Sequence, residues 1–396
     1  MSRKPRIMEI ELLRGMAFLA VALQHAIAHF AGLNGVTQTD GVWMTLLLMA
    51  AKFAVPVFIF ITGMVLFYNY DGKINYLTFI RKRCSDILIP YILWSAVYFT
   101  VRAYSQPASV EQAWKWVTMV FTGKNSSHLW YIVMIFQFYL VFPIIRYFIN
   151  RTLKHVSSAM RRMVLLIIGL MYLILVNNLG AIGNVMSQLH IPIITPWFTT
   201  YADRNFIYFS IYFILGAAAG LFPELWKSWV KRGKPVYMTV FVILFGYFVY
   251  QVIESFQTSA GFKINFNSVS LLRPLMAIFL VSSIFVVYLL AELVAVHGRP
   301  GLIRMMNFLG KYSFGAYLIH LLMLRVSYRM DNMWFISLNI TLRMMISFLI
   351  CCLLSYGLTM ILSMLPFGKW TVGISSQSKL DQTKTRNELK RDEKSN

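Results

Sequence analysis

Arg14 and His25 stand eleven residues apart in one apolar stretch, Glu11-Leu-Leu-Arg14-Gly-Met-Ala-Phe-Leu-Ala-Val-Ala-Leu-Gln-His25-Ala-Ile-Ala-His29. Eleven residues make three helical turns, so the two side chains return to nearly the same face, about 16 Å apart along the axis. Glu11 falls one turn before Arg14, and His29 one turn beyond His25. An imidazole titrating near neutrality is a natural general base for a hydroxyl. A fixed guanidinium is a natural holder of phosphate or of developing negative charge. Taken singly, Arg14 could be an interfacial residue paired with Glu11, and His25 a hydrogen-bonded core histidine. The shared face is what points to chemistry.

Other polar residues complement this stripe. Arg81-Lys82-Arg83 precedes a later apolar stretch, either as topogenic charge or as a receiver for an anionic cofactor. His128-Leu-Trp-Tyr131 opens the next stretch, at a depth His25 can reach. Trp130 and Tyr131 also fit an interfacial aromatic belt, whereas His128 does not. His320 lies beyond Ser313 and Tyr317 on a further stretch, again near the level of His25. Lys52 and Arg343 are charges well inside apolar stretches, and both are expected to face protein rather than lipid.

The elements that must position these residues are membrane spans. The chain has 396 residues, 58% of them hydrophobic and 13% charged, against about 25% charged in a soluble domain. Apolar runs of about 20 residues recur from end to end. Spans are expected at 11–32, 42–69, 85–104, 127–149, 163–182, 204–223, 235–254, 271–296, 308–330 and 334–365. The fold class is thus all-α, a polytopic helix bundle of about ten spans, with 1–365 in the membrane and 366–396 a basic tail expected to be disordered. Of the 37 basic residues, 26 fall on one side with this arrangement. Only Arg102, Lys115, Lys124, Arg204, Lys263, Arg273, Arg325 and Arg329 fall on the other. The rich side should be cytoplasmic, with both termini there.

The net charge of +22 is therefore mainly topological, with some capacity for anionic lipids or an anionic substrate. Nucleic acid is not expected, because the charges are scattered over short loops without a recognition motif. Cys84, Cys351 and Cys352 make neither a disulfide framework nor a zinc spacing, and no metal site is expected. There is no phosphate-binding glycine loop. No internal repeat is found, which disfavours transporters built from two related halves. The longer loops, 105–126 and 183–203, fall on the outer side.

Five segments, in order, resemble the integral membrane acyltransferases called acyltransferase family 3. They are Glu11-x-x-Arg14-Gly with Arg-x(10)-His; Val55-Pro56-Val57-Phe58-Ile59-Phe60-Ile61-Thr62-Gly63; Ile87-Leu88-Ile89-Pro90-Tyr91-Ile92-Leu93-Trp94; His128-Leu129-Trp130-Tyr131 with Tyr139 and Pro143; and Leu309-Gly310-Lys311-Tyr312-Ser313-Phe314-Gly315-Ala316-Tyr317-Leu318-Ile319-His320. The sequence departs from the family pattern at Asp86, where many members carry a second arginine after Arg83, and at Thr62, where serine is usual. The Pro90-Tyr91 and Trp94 pattern is closer to the branch that modifies enterobacterial common antigen or poly-N-acetylglucosamine.

The resemblance implies acyl transfer, often of acetyl, from cytoplasmic acyl-CoA to a hydroxyl of a cell-surface polysaccharide or lipid-linked sugar. It implies Arg14 and His25 as the central pair and the basic turn Arg81, Lys82, Arg83 as a second functional motif, read as the holder of the CoA phosphates. Glu11, His29, His128, His320, Ser313 and Tyr317 are supporting candidates. No tightly bound cofactor is expected, acyl-CoA being a substrate. The expected partners are acyl-CoA, the glycan acceptor, membrane lipids and a polysaccharide synthase, and the expected location is a bacterial plasma membrane. His25 could act as general base or as a transient acyl carrier. A polysaccharide or glycolipid transporter is the rival reading, and a non-enzymatic scaffold a third.

Overall fold

The computed structural model describes residues 7–374, apart from 71, 73, 103–108, 154 and 259–260. Among these the helices are α1 Met8–Phe30, α2 Gln38–Ala51, α3 Ala54–Asn69, α4 Tyr76–Arg83, α5 Ile89–Arg102, α6 Val110–Thr122, α7 Trp130–Leu153, α8 Ser158–Asn177, α9 Leu179–Leu189 and α10 Thr195–Phe198. They continue with α11 Ser210–Leu221, α12 Pro223–Arg232, α13 Lys234–Glu254, α14 Pro274–His297, α15 Pro300–Trp334, α16 Ile340–Met364 and α17 Gly368–Val372. A two-residue hairpin pairing Gln257–Thr258 with Gly261–Phe262 is the sole strand structure described. A backbone in hydrocarbon must satisfy its own hydrogen bonds, and helices do so.

Each of the ten expected spans contains a helix, but not all pass as spans. Among the described residues eight helices are long and apolar enough to cross a membrane, or nine if the pair Phe206–Leu221 and Pro223–Arg232, bent by 113°, is one span. The remaining expected span, 308–330, lies within α15, a 35-residue helix. It also carries Arg304, Lys311, Arg325, Arg329 and Asp331, and is not among those eight. The helices α1, α2–α3 and α14 are central, with 67%, 61% and 56% of their most apolar window buried in protein, whereas α8 and α13 are peripheral at 11% and 17%. The outer face of α8 leaves Leu166, Leu170, Met171 and Ile174 uncovered, a lipid-compatible belt.

Local chemistry fixes the irregular points. Pro56 cannot donate to the Lys52 carbonyl and its ring crowds it, so the expected span 42–69 is broken between α2 and α3. Gln24 of α1 fills part of the gap, donating Nε2 to the Ala51 carbonyl at 2.7 Å. Pro90 is met differently, by a π-turn over Cys84–Leu88 that carries α4 into α5 without a break. Close crossings depend on glycine. A Cβ on Gly216 would lie 2.0 Å from the Phe60 carbonyl oxygen, and one on Gly310 would lie 2.1 Å from that of Glu11. Small residues thus let α11 dock on α3 and α15 on α1 at backbone distance.

Buried polar pairs set register between neighbours. Arg343 of α16 grips Asp331 of α15 with two nitrogens, Nη2 at 2.7 Å and Nε at 3.1 Å, so it faces protein. Asp40 closes a capping box with Thr37 at the start of α2 and accepts the Thr341 hydroxyl at 2.6 Å. The segment expected to begin the tail contains α17, whose Thr371 carbonyl accepts Trp94 Nε1 at 2.8 Å. Lys369 beside it pairs with Asp86 at 3.4 Å. Residues 375–396, for which disorder is expected, lie outside the described residues.

Candidate active site

Three histidines, from α1, α15 and the turn before α7, meet in the half of the bundle that α1 reaches at its C-terminal end. His25 of α1 lies with its ring centroid 5.2 Å from that of His320 on α15 and 6.5 Å from that of His128. His128 and His320 are 4.7 Å apart. The close α1–α15 crossing brings the first pair together. His128 is delivered by the turn after α6, where Gly123 takes φ 66° and a Cβ would strike the Trp130 backbone at 2.6 Å. A side-chain residue is excluded there on both counts.

The three imidazoles are held differently. His320 is fully buried, and its Nδ1 lies 2.6 Å from the Tyr317 carbonyl. A carbonyl only accepts, so Nδ1 carries the proton and Nε2 of the neutral ring presents a lone pair. That Nε2 has no hydrogen-bond partner among the described residues, and the buried His128 ring lies beside the Leu318 backbone. Tyr317 fixes the His128 backbone by donating its hydroxyl to that carbonyl. His25 lines a cavity of about 280 Å³ together with Lys52, His128, Trp130, Tyr131 and Tyr317. Phe266 and Leu271, from the segment before α14, close part of its wall. The rings do not converge on an ion: among the described residues no group of three ligands could hold a metal.

The other expected residues separate into two groups. Arg14 pairs with Glu11 at 3.4 Å, one turn apart, and keeps 37% of its side chain exposed. Arg81 and Lys82 are exposed at the end of α4. Arg83 turns inward, bonding the Tyr70 hydroxyl at 3.1 Å, with its guanidinium over the Phe79 and Tyr139 rings at 5.3 and 5.2 Å. Of the supporting candidates, His128 and Tyr317 line the cavity, whereas Glu11, His29, Ser313 and His320 do not, His320 standing behind the His25 ring. His29 stacks on Tyr328 at 3.7 Å, and buried Ser313 returns its hydroxyl to the Gly310 carbonyl at 2.8 Å.

Lys52 and Tyr131 enter the site without having been assigned to it from sequence. Lys52 stood out only as a charge inside a span. Its available signal was Pro56 four residues on, which marks the junction of α2 and α3 where Lys52 lines the cavity. No ion-pair partner of Lys52 is recorded among the described residues. Tyr131 fitted an aromatic belt, yet it packs at 5.8 Å against both Phe58 and Tyr317. Trp94 and Tyr91, part of the resemblance, prove to be braces: Tyr91 donates to the Val120 carbonyl, and Trp94 holds α17.

An all-helical, multi-pass membrane bundle with a histidine-lined interior cavity is the class that the fold and site define. The family model described as an acyltransferase domain, acyltransferase family 3, matches residues 7–364. The chain belongs to this family, so it is a membrane acyltransferase, and the transporter and scaffold readings give way. No curated protein and no solved structure gives a significant match to the chain.

Proposed function

We propose that the protein is an O-acyltransferase that moves an acyl group, acetyl in the simplest case, from acyl-CoA to a hydroxyl of a surface polysaccharide or lipid-linked sugar. The observation that carries this reading is the cavity that His25 lines with His128 and Lys52, the His320 ring lying 5.2 Å from that of His25; among the described residues the His25 ring has no hydrogen bond and Lys52 no ion pair. His25 takes the proton of the acceptor hydroxyl as its oxygen attacks the thioester carbonyl. The C–O bond forms, the C–S bond breaks, and the proton passes to the departing CoA thiolate. The lone pair on His320 Nε2 suits it to orient the His25 ring. Lys52 and an N–H of His128 suit the transient oxyanion.

The donor reaches this point from the Arg83 end, which we assign to the cytoplasm of a bacterial cell. Arg81, Lys82 and Arg83 receive the CoA phosphates, with Arg14 deeper along the arm. From Tyr139, under Arg83, to Tyr131 in the cavity wall is eight residues of α7, about 12 Å of rise. A pantetheine arm of about 15–20 Å covers that span. Membrane lipids surround the bundle, and a polysaccharide synthase is the partner that would supply acceptor.

The test is release of free CoA thiol from acetyl-CoA by purified protein supplied with glycan. His25→Ala should abolish release while the protein inserts and purifies normally. Undiminished release by that variant overturns the role given to His25.

A further inference from the structure

Four of the eight basic residues that fall outside the cytoplasmic set gather in one place. Arg102 at the end of α5, Lys124 in the turn before α7, Arg204 before α11 and Arg325 on α15 line a second cavity of about 540 Å³. It lies at the end of the bundle opposite Arg83. Tyr76–Arg102 is one continuous helix, and the nineteen residues from Arg83 to Arg102 rise about 28 Å. The positive-inside rule depletes basic residues on that side, so topology does not account for their convergence.

Little on the protein neutralises them. Asp203 pairs with Arg204 at 3.2 Å, and Arg204 also bonds the Thr122 carbonyl. Lys124 lies 4.7 Å above the Tyr201 ring. None of Arg102, Lys124 and Arg325 has a carboxylate partner recorded among the described residues. Buried Asn125 adds an unpartnered Oδ1, and Ser126 and Ser127 add hydroxyls, the groups that recognise sugar. Trp130 is common to this cavity and to the one holding His25. Tyr328, on its wall, donates to the His25 carbonyl at 3.3 Å.

We propose that this pocket binds the anionic group of the acceptor, so that the glycan modified here carries phosphate or carboxylate rather than being neutral. The inference rests on the acyl-transfer reading and adds a substrate class to it. Cations arranged around a groove raise the local concentration of polyanion and fix its register. An acceptor held there by its charge presents a neighbouring hydroxyl past Trp130 toward His25. A lipid phosphate would meet the same cations, but the serines, Asn125 and the shared Trp130 favour a sugar chain.

Binding alone tests the proposal, independently of catalysis. Full-length protein in phosphatidylcholine nanodiscs is titrated with oligo(glycerol phosphate), with oligoglucuronate and with neutral chito-oligosaccharide. One or both polyanions should bind, weakening as salt rises, and the neutral chain should bind at least about tenfold more weakly. The variant Arg102→Gln/Lys124→Gln/Arg325→Gln should lose about tenfold or more in polyanion affinity, and Arg325→Lys should keep most of it. His25→Ala should bind as the wild type does, which separates this claim from the role of His25. Equal binding of the neutral chain, or unchanged affinity in the triple variant, overturns the proposal. So does a triple variant that loses co-purifying phosphatidylglycerol while still binding both polyanions, which marks a lipid headgroup site.

Discussion

At the scale of single residues, the proposed function assigns donor holding and chemistry to different groups. Arg83 sits among Tyr70, Phe79 and Tyr139, far from the imidazoles, so Arg83→Gln should raise KM for acyl-CoA with little change in kcat. His320 acts on the opposite term: its replacement by Ala should lower kcat about 10²-fold or more, with donor KM unchanged. Steady-state thiol release across a donor titration measures both. The residue types and their order were legible in the sequence, because a histidine or arginine in hydrocarbon demands a reason. The meeting of His25, His128 and His320 needed two helices and the turn before α7 to be brought to one level, which periodicity within one helix does not supply. Lys52 was visible as a charge but not as a cavity residue, since the cavity is closed by residues from other, distant segments such as His128 and Phe266. The pairing of Asp86 with Lys369, across the departure from the family pattern, was hidden by 283 positions of sequence separation.

At the scale of helices, backbone contact through glycine and a buried ion pair position the site. A Cβ at Gly310 would strike the Glu11 backbone, so Gly310→Ala must push α15 off α1 and part His320 from His25. It should destabilise the protein by about 1–3 kcal/mol and lower activity with it. Gly246, with no atom within 4 Å of the same added carbon, should accept Ala with a gain of about 0.5–1 kcal/mol. Melting temperatures in detergent distinguish the two signs. The Asp331–Arg343 pair makes a second case. Removing either partner leaves a buried charge and should cost about 3–5 kcal/mol, whereas Asp331→Leu with Arg343→Met should restore most of the loss. Helix existence was readable from apolar length, but span status was not. The charges of α15 and the 113° bend after α11 separate being a helix from being a simple crossing.

At the scale of the whole molecule, the bundle sets the basic end at Arg81, Lys82 and Arg83 against a histidine-lined cavity and a cationic pocket toward the other end. The family assignment was legible because its motifs lie at helix crossings and cavity walls, where sequence is constrained by packing. The convergence of Arg102, Lys124, Arg204 and Arg325 was not, because they come from four separate segments. The central claim is that acyl groups pass from one face to the other through the His25 cavity. Sealed inside-out membrane vesicles carrying the protein, loaded with acceptor glycan and given labelled acetyl-CoA outside, test it directly. Label should appear as ester on glycan in the lumen, dependent on His25 and with no acetyl-CoA entering. Label only on glycan added outside, or lumenal ester formed equally by His25→Ala, would contradict the account.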